Sequence, residues 1–81
     1  MIGENASMKI LGILEEIHPQ FDYSTSQDFF ADGLIDSFDL TRLIAALEEN
    51  FDISIGGEEL SAENFKNLEA LQSLLRRHGV E

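Results

Sequence analysis

Asp36-Ser37-Phe38-Asp39-Leu40-Thr41-Arg42-Leu43-Ile44-Ala45-Ala46-Leu47-Glu48-Glu49-Asn50-Phe51 is the stretch that decides the fold. Leu40, Leu43, Ile44, Leu47 and Phe51 recur at helical spacing and form one apolar stripe, with polar groups on the opposite side. Asp36 is a good N-cap, because its carboxylate can accept from amides of the first turn. Asp39 adds a negative charge where the helix dipole favours one. A helix over 37–50 follows, roughly 21 Å long at 1.5 Å per residue.

Outward from this helix the pattern stays helical. Ile10, Ile13, Leu14 and Ile17, with Leu11 at the border, predict a first helix over about 6–18, which Pro19 closes by disfavouring helical backbone at His18. Gly12 inside it costs about 1 kcal/mol relative to Ala. No period runs from Pro19 to Asp36, yet Phe21, Tyr23, Phe29, Phe30, Leu34 and Ile35 supply anchors for a packed long loop, with a turn near Ser26 to Phe30. Asp52-Ile53-Ser54-Ile55 alternates but is too short and unpartnered for a sheet, and Gly56-Gly57 breaks the chain. Ser61 is positioned to cap a short helix over 62–66, and Asn67 a last helix over 68–78. That last helix buries Leu68, Leu71, Leu74 and Leu75, carries Arg76 and Arg77 in its final turn and stops before Gly79. The expected fold is all-α: one domain over 1–81, a small four-helix bundle with a long loop between helices 1 and 2 and a short third helix.

The charge is lopsided. Sixteen Asp and Glu stand against 5 Lys and Arg, a formal net charge of −11. Nucleic acid and anionic membrane surfaces recruit clustered cations, so neither is an expected partner. Partners with basic patches are. With no cysteine, disulfides, thiolate metal sites and a cysteine nucleophile are excluded. Met1-Ile2-Gly3-Glu4-Asn5 has no basic run and no apolar stretch reaches membrane length, so a cytoplasmic address is expected; a monomer is expected as well.

Ser37 is the residue where chemistry can live. As a hydrolase nucleophile it lacks the flanking glycines of a nucleophile elbow. Its base would have to be His18 or His78, one beside a helix-ending proline and the other near the chain end. Asp28, Asp32, Gly33 and Asp39 partly mimic a calcium loop, but Phe30 takes the third position and Asp39 replaces the closing Glu. Neither histidine has a partner at ligand spacing. No catalytic residue and no metal site is expected.

Phe29-Phe30-Ala31-Asp32-Gly33-Leu34-Ile35-Asp36-Ser37-Phe38, the helix after it and Phe51-Asp52-Ile53-Ser54-Ile55 resemble the acyl carrier and peptidyl carrier protein family, over about Lys9 to Arg77. The resemblance implies a non-enzymatic carrier whose serine, Ser37 here, receives 4′-phosphopantetheine from coenzyme A through a phosphopantetheinyl transferase. Asp36 occupies the place of the aspartate that helps hold Mg²⁺ during that transfer. The arm would carry acyl or aminoacyl intermediates as thioesters in fatty-acid, polyketide or nonribosomal-peptide-type synthesis. Helix placement agrees with a phosphodiester at Ser37, since a first turn offers unpaired amides and the positive dipole end.

The same resemblance makes the exposed side of the second helix a docking face: Phe38, Asp39, Thr41, Arg42, Ala45, Glu48 and Glu49. Fatty-acid carriers usually have an acidic residue where Arg42 stands and a larger apolar one where Ala45 stands. These departures point to a stand-alone carrier of a specialised pathway, served by an acyl- or aminoacyl-activating ligase and by synthases or transferases with basic patches. Ala46 and Gly12, small groups expected at helix contacts, leave room for cargo inside or outside the bundle. The rival reading is an unmodified acidic helical interaction domain that binds a basic partner.

Overall fold

The computed structural model describes residues 2–80, with side chains from residue 6 onward, so Met1 and Glu81 of the expected domain lie outside the described residues. Four helices appear, α1 (Ile2–Ile17), α2 (Ser37–Phe51), α3 (Ala62–Phe65) and α4 (Leu68–Arg77), and no strand among the described residues. α1 packs against both α2 and α4, and α3 against α4. The expected helical bundle is present, and α2, α3 and α4 match their predicted spans to within a residue.

The core draws on every part of the chain. α1 contributes Ile10, Ile13 and Leu14, α2 Leu43 and Leu47, α3 Phe65, and α4 Leu71, Leu74 and Leu75, all buried. Ala6, also buried, lies one turn before Ile10 and extends the α1 stripe toward the N-terminus. Helical backbone begins at Ile2, a turn earlier than expected, because nothing from Ile2 to Asn5 except Gly3 opposes it. Gly12 is corrected: it faces solvent, and a Cβ built there meets nothing within 4 Å. Lys9 Nζ lies 5.6 Å above the Phe51 ring and joins α1 to the end of α2.

The long loop shares in the core with the helices. Tyr23, Phe29 and Ile35 belong to the core, and His18, Phe21, Tyr23 and Phe29 meet edge to face, with successive centroids 5.6, 6.2 and 5.5 Å apart. A 3-10 helix at Tyr23–Thr25, not foreseen, precedes the turn expected near Ser26 to Phe30. Asp22 sets it by accepting from the Ser24 amide and hydroxyl.

Asp28 builds the next turn by accepting from the Phe30 and Ala31 amides. Gly33, at φ +76°, then reverses the chain. The Leu34 amide donates to the Phe29 carbonyl and the Gly33 amide to that of Phe30, the Schellman pattern that calls for a residue with positive φ. Gly33 therefore sends Leu34 and Ile35 back to the core and leaves Asp36 at the start of α2. The loop is also tied to the α3–α4 junction, where the Phe29 amide donates to the Lys66 carbonyl at 2.6 Å and Asn67 Nδ2 to that of Gln27 at 2.8 Å.

Beyond α2, Asp52 adopts left-handed backbone at φ 54°. Glu48 holds this corner: its carbonyl accepts from Ile53, and its carboxylate from the Ile55 amide at 2.9 Å. A further 3-10 turn, Gly57–Glu59, replaces the plain break expected at Gly56-Gly57. Glu59 anchors it, accepting from the Gly56 amide at 3.1 Å and from His78 Nε2 at 2.7 Å. Ser61 makes no side-chain cap on α3, contrary to expectation, whereas Asn67 caps α4 by accepting from the Ala70 amide.

Candidate functional site

Ser37 is the first residue of α2, and the bonds around it follow from helix-end chemistry. Four amides at a helix start have no carbonyl of their own. Two of them here are closed by a reciprocal pair: Asp36 Oδ1 accepts from the Asp39 amide at 2.8 Å, and Asp39 Oδ2 accepts from the Asp36 amide at 3.2 Å. The Ser37 and Phe38 amides are left without a partner among the described residues. Ser37 itself is exposed, and its hydroxyl makes no hydrogen bond there. Its carbonyl accepts from Thr41 Oγ1 at 3.2 Å, one turn further along.

This set of groups fits a phosphodiester on Ser37. The hydroxyl is reachable, two free amides point out of the same turn, and the positive helix end lies beneath them. Asp36 is exposed and uses only Oδ1 in the cap, so its second oxygen is available at the surface.

Asp39 corrects the expected docking face. It is only 5% exposed, and Oδ2 accepts from His18 Nε2 at 2.8 Å as well as from the Asp36 amide. Burial pushes its carboxyl upward, but the bonds from His18 and the Asp36 backbone, with the His18 charge, hold it below the ordinary Asp value. A carboxylate so engaged is not offered to a partner. Glu48 is corrected in part, since its carboxylate is already bonded to the Ile55 amide. Thr41, Arg42, Ala45 and Glu49 are exposed as expected, and Phe38 stands out at 70%. Arg42 Nη1 approaches Asp39 Oδ1 no closer than 4.0 Å.

Neither imidazole bonds to Ser37: His18 is engaged by Asp39 and His78 by Glu59. Both pairings were invisible to sequence spacing, being 21 and 19 residues apart. The residues of the partial calcium pattern diverge. Asp28 serves the Phe30 and Ala31 amides, Asp32 accepts from the Ser26 hydroxyl, and Asp39 is buried. Among the described residues no helix is long and apolar enough to cross a membrane.

The pattern described as a phosphopantetheine attachment site matches residues 8–75, most of the chain and all of α2 to its end. Among curated proteins none matches at a significant level. The chain belongs to the phosphopantetheine-attachment family of acyl and peptidyl carrier domains. It is thus a carrier of covalent phosphopantetheine, of a kind that is not itself catalytic.

Proposed function

We propose that Ser37 is the attachment point and that the protein presents acyl or aminoacyl cargo to the enzymes of a specialised biosynthetic pathway. The observation that carries this is an exposed hydroxyl on the first residue of α2, beside the two amides that the capping pair leaves free.

During loading, Ser37 Oγ forms the new bond to phosphorus of coenzyme A, the nucleoside bisphosphate leaves, and the hydroxyl proton passes to a base of the transferase. The free amides of Ser37 and Phe38 then face the negative phosphodiester, and Asp36 supplies a carboxylate oxygen toward Mg²⁺ at the transferase contact. When attached, the arm supplies a terminal thiol that holds cargo as a thioester. Phe38, Thr41, Arg42, Ala45 and Glu49 form the docking face, with Phe38 as its apolar anchor. The combination of Arg42 and Ala45 supports a dedicated ligase and its own synthases or transferases over fatty-acid housekeeping partners.

Intact-mass measurement after co-expression with a broad-specificity transferase tests the assignment. One phosphopantetheine increment is expected, absent in Ser37→Ala. Asp36→Asn keeps a capping oxygen and removes the charge, so its melting temperature should hold while its loading slows at limiting Mg²⁺. A wild-type chain that stays unmodified would support the noncovalent interaction domain instead.

A further inference from the structure

We propose that His18 is a positioning residue for the loading of Ser37, acting through Asp39 on the backbone that carries the serine. The proposal rests on the reading of Ser37 as the attachment point. Asp39 Oδ2 is shared between two donors, His18 Nε2 at 2.8 Å and the Asp36 amide at 3.2 Å. The same carboxylate thus joins the end of α1 to the residue preceding Ser37.

A carboxylate this buried requires a charged or hydrogen-bonding partner. Arg42 is a poor candidate, being half-exposed and 4.0 Å away at its nearest. His18 is held on four sides. Its amide donates to the Leu14 carbonyl at 3.0 Å, its carbonyl accepts from Tyr23 Oη at 3.1 Å, its ring meets Phe21 edge to face, and Nε2 reaches Asp39. The end of α1 and the aromatic loop are therefore the fixed side of the link, and the start of α2 is the side being fixed.

Without the imidazole, Asp39 gains most by turning toward water. That movement breaks its bond to the Asp36 amide, opens half of the reciprocal cap and frees the backbone that aims Ser37 Oγ. The exposed face of α2 keeps its side chains, so recognition by the transferase is preserved while alignment of the nucleophile is lost.

Steady-state loading of the full chain by a phosphopantetheinyl transferase, with amide exchange followed by NMR, tests this. In His18→Ala, kcat should fall about tenfold with KM little changed, the size expected for losing a hydrogen bond to a charged group. Exchange at the Asp36 amide should quicken while Leu71 and Leu74 stay protected. His18→Gln, whose side-chain amide reaches as far as Nε2, should restore kcat. His18→Asn, which is shorter, should not, and it takes the place of the alanine variant if that one does not fold. Wild-type kcat in both the alanine and asparagine variants overturns the proposal, as does a loss confined to KM or a failure of glutamine to rescue. A wild-type chain that is not loaded at all instead overturns the assignment of Ser37.

Discussion

Asp39 sits at a boundary between two environments, and its protonation has a definite consequence for stability. Its carboxyl lies below the ordinary value of about 3.8 in the folded chain, because the bonds from His18 and the Asp36 amide outweigh burial. A depressed carboxyl contributes stability that is present above the unfolded value and lost as pH falls through the folded one. The window is therefore below about pH 4. Melting temperatures of wild type and Asp39→Asn, taken from pH 7 to pH 3, should converge as the acid end is approached, with wild type the more stable at neutral pH. A constant gap across that range would contradict the assigned charge state. Tyr23 acts at the other extreme. Burial, with Asp39 and Glu15 nearby, raises its phenol, so its contribution is present at neutral pH and lost only as pH rises past about 10. Asp36 and Ser37 were legible from the sequence, as a cap followed by a first-turn residue inside a family pattern. Asp39 was not, because acidic residues three apart at a helix start read equally as a solvated face. The aspartates at positions 36 and 39 did carry a usable signal, the reciprocal-cap spacing with Asp in place of Glu.

At the scale of elements, legibility followed periodicity. α2 and α4 combine an apolar stripe with a cap residue, and both appeared where expected. The short turns did not, because Tyr23–Thr25 and Gly57–Glu59 are set by single side-chain-to-backbone bonds from Asp22 and Glu59. Such bonds leave no repeat in the sequence. α1 offers a prediction of its own. Gly12 lies in its middle, exposed, without positive φ and with open space where a methyl group would go. Gly12→Ala should stabilise the protein by about 1 kcal/mol, through reduced freedom of the unfolded chain and better helix propensity. Urea denaturation followed by circular dichroism reads this as a higher midpoint at unchanged slope. Gly33 is the contrasting case, since at φ +76° any side chain is strained whatever the space around it.

The whole molecule carries a net charge of −11 on a body whose longest axis is 29 Å. Self-repulsion at that density opposes the compact state, whereas attraction to a basic partner favours association. Salt screens both. Raising ionic strength from about 0.02 to 0.3 M, well across the range where the Debye length shortens, should increase the melting temperature and weaken transferase docking. Parallel calorimetry and loading kinetics check the two signs, and a melting temperature that falls with salt would run against the repulsion argument.

Tyr23 has one more use. It is the sole tyrosine of a chain without tryptophan, it sits in the interior, and its oxygen is bonded to the His18 carbonyl. At wavelengths beyond the absorption of its six phenylalanines, ultraviolet absorption and emission of the unlabelled protein therefore come from one phenol, placed where α1 ends. Its emission offers a built-in optical readout of loop opening without an engineered fluorophore.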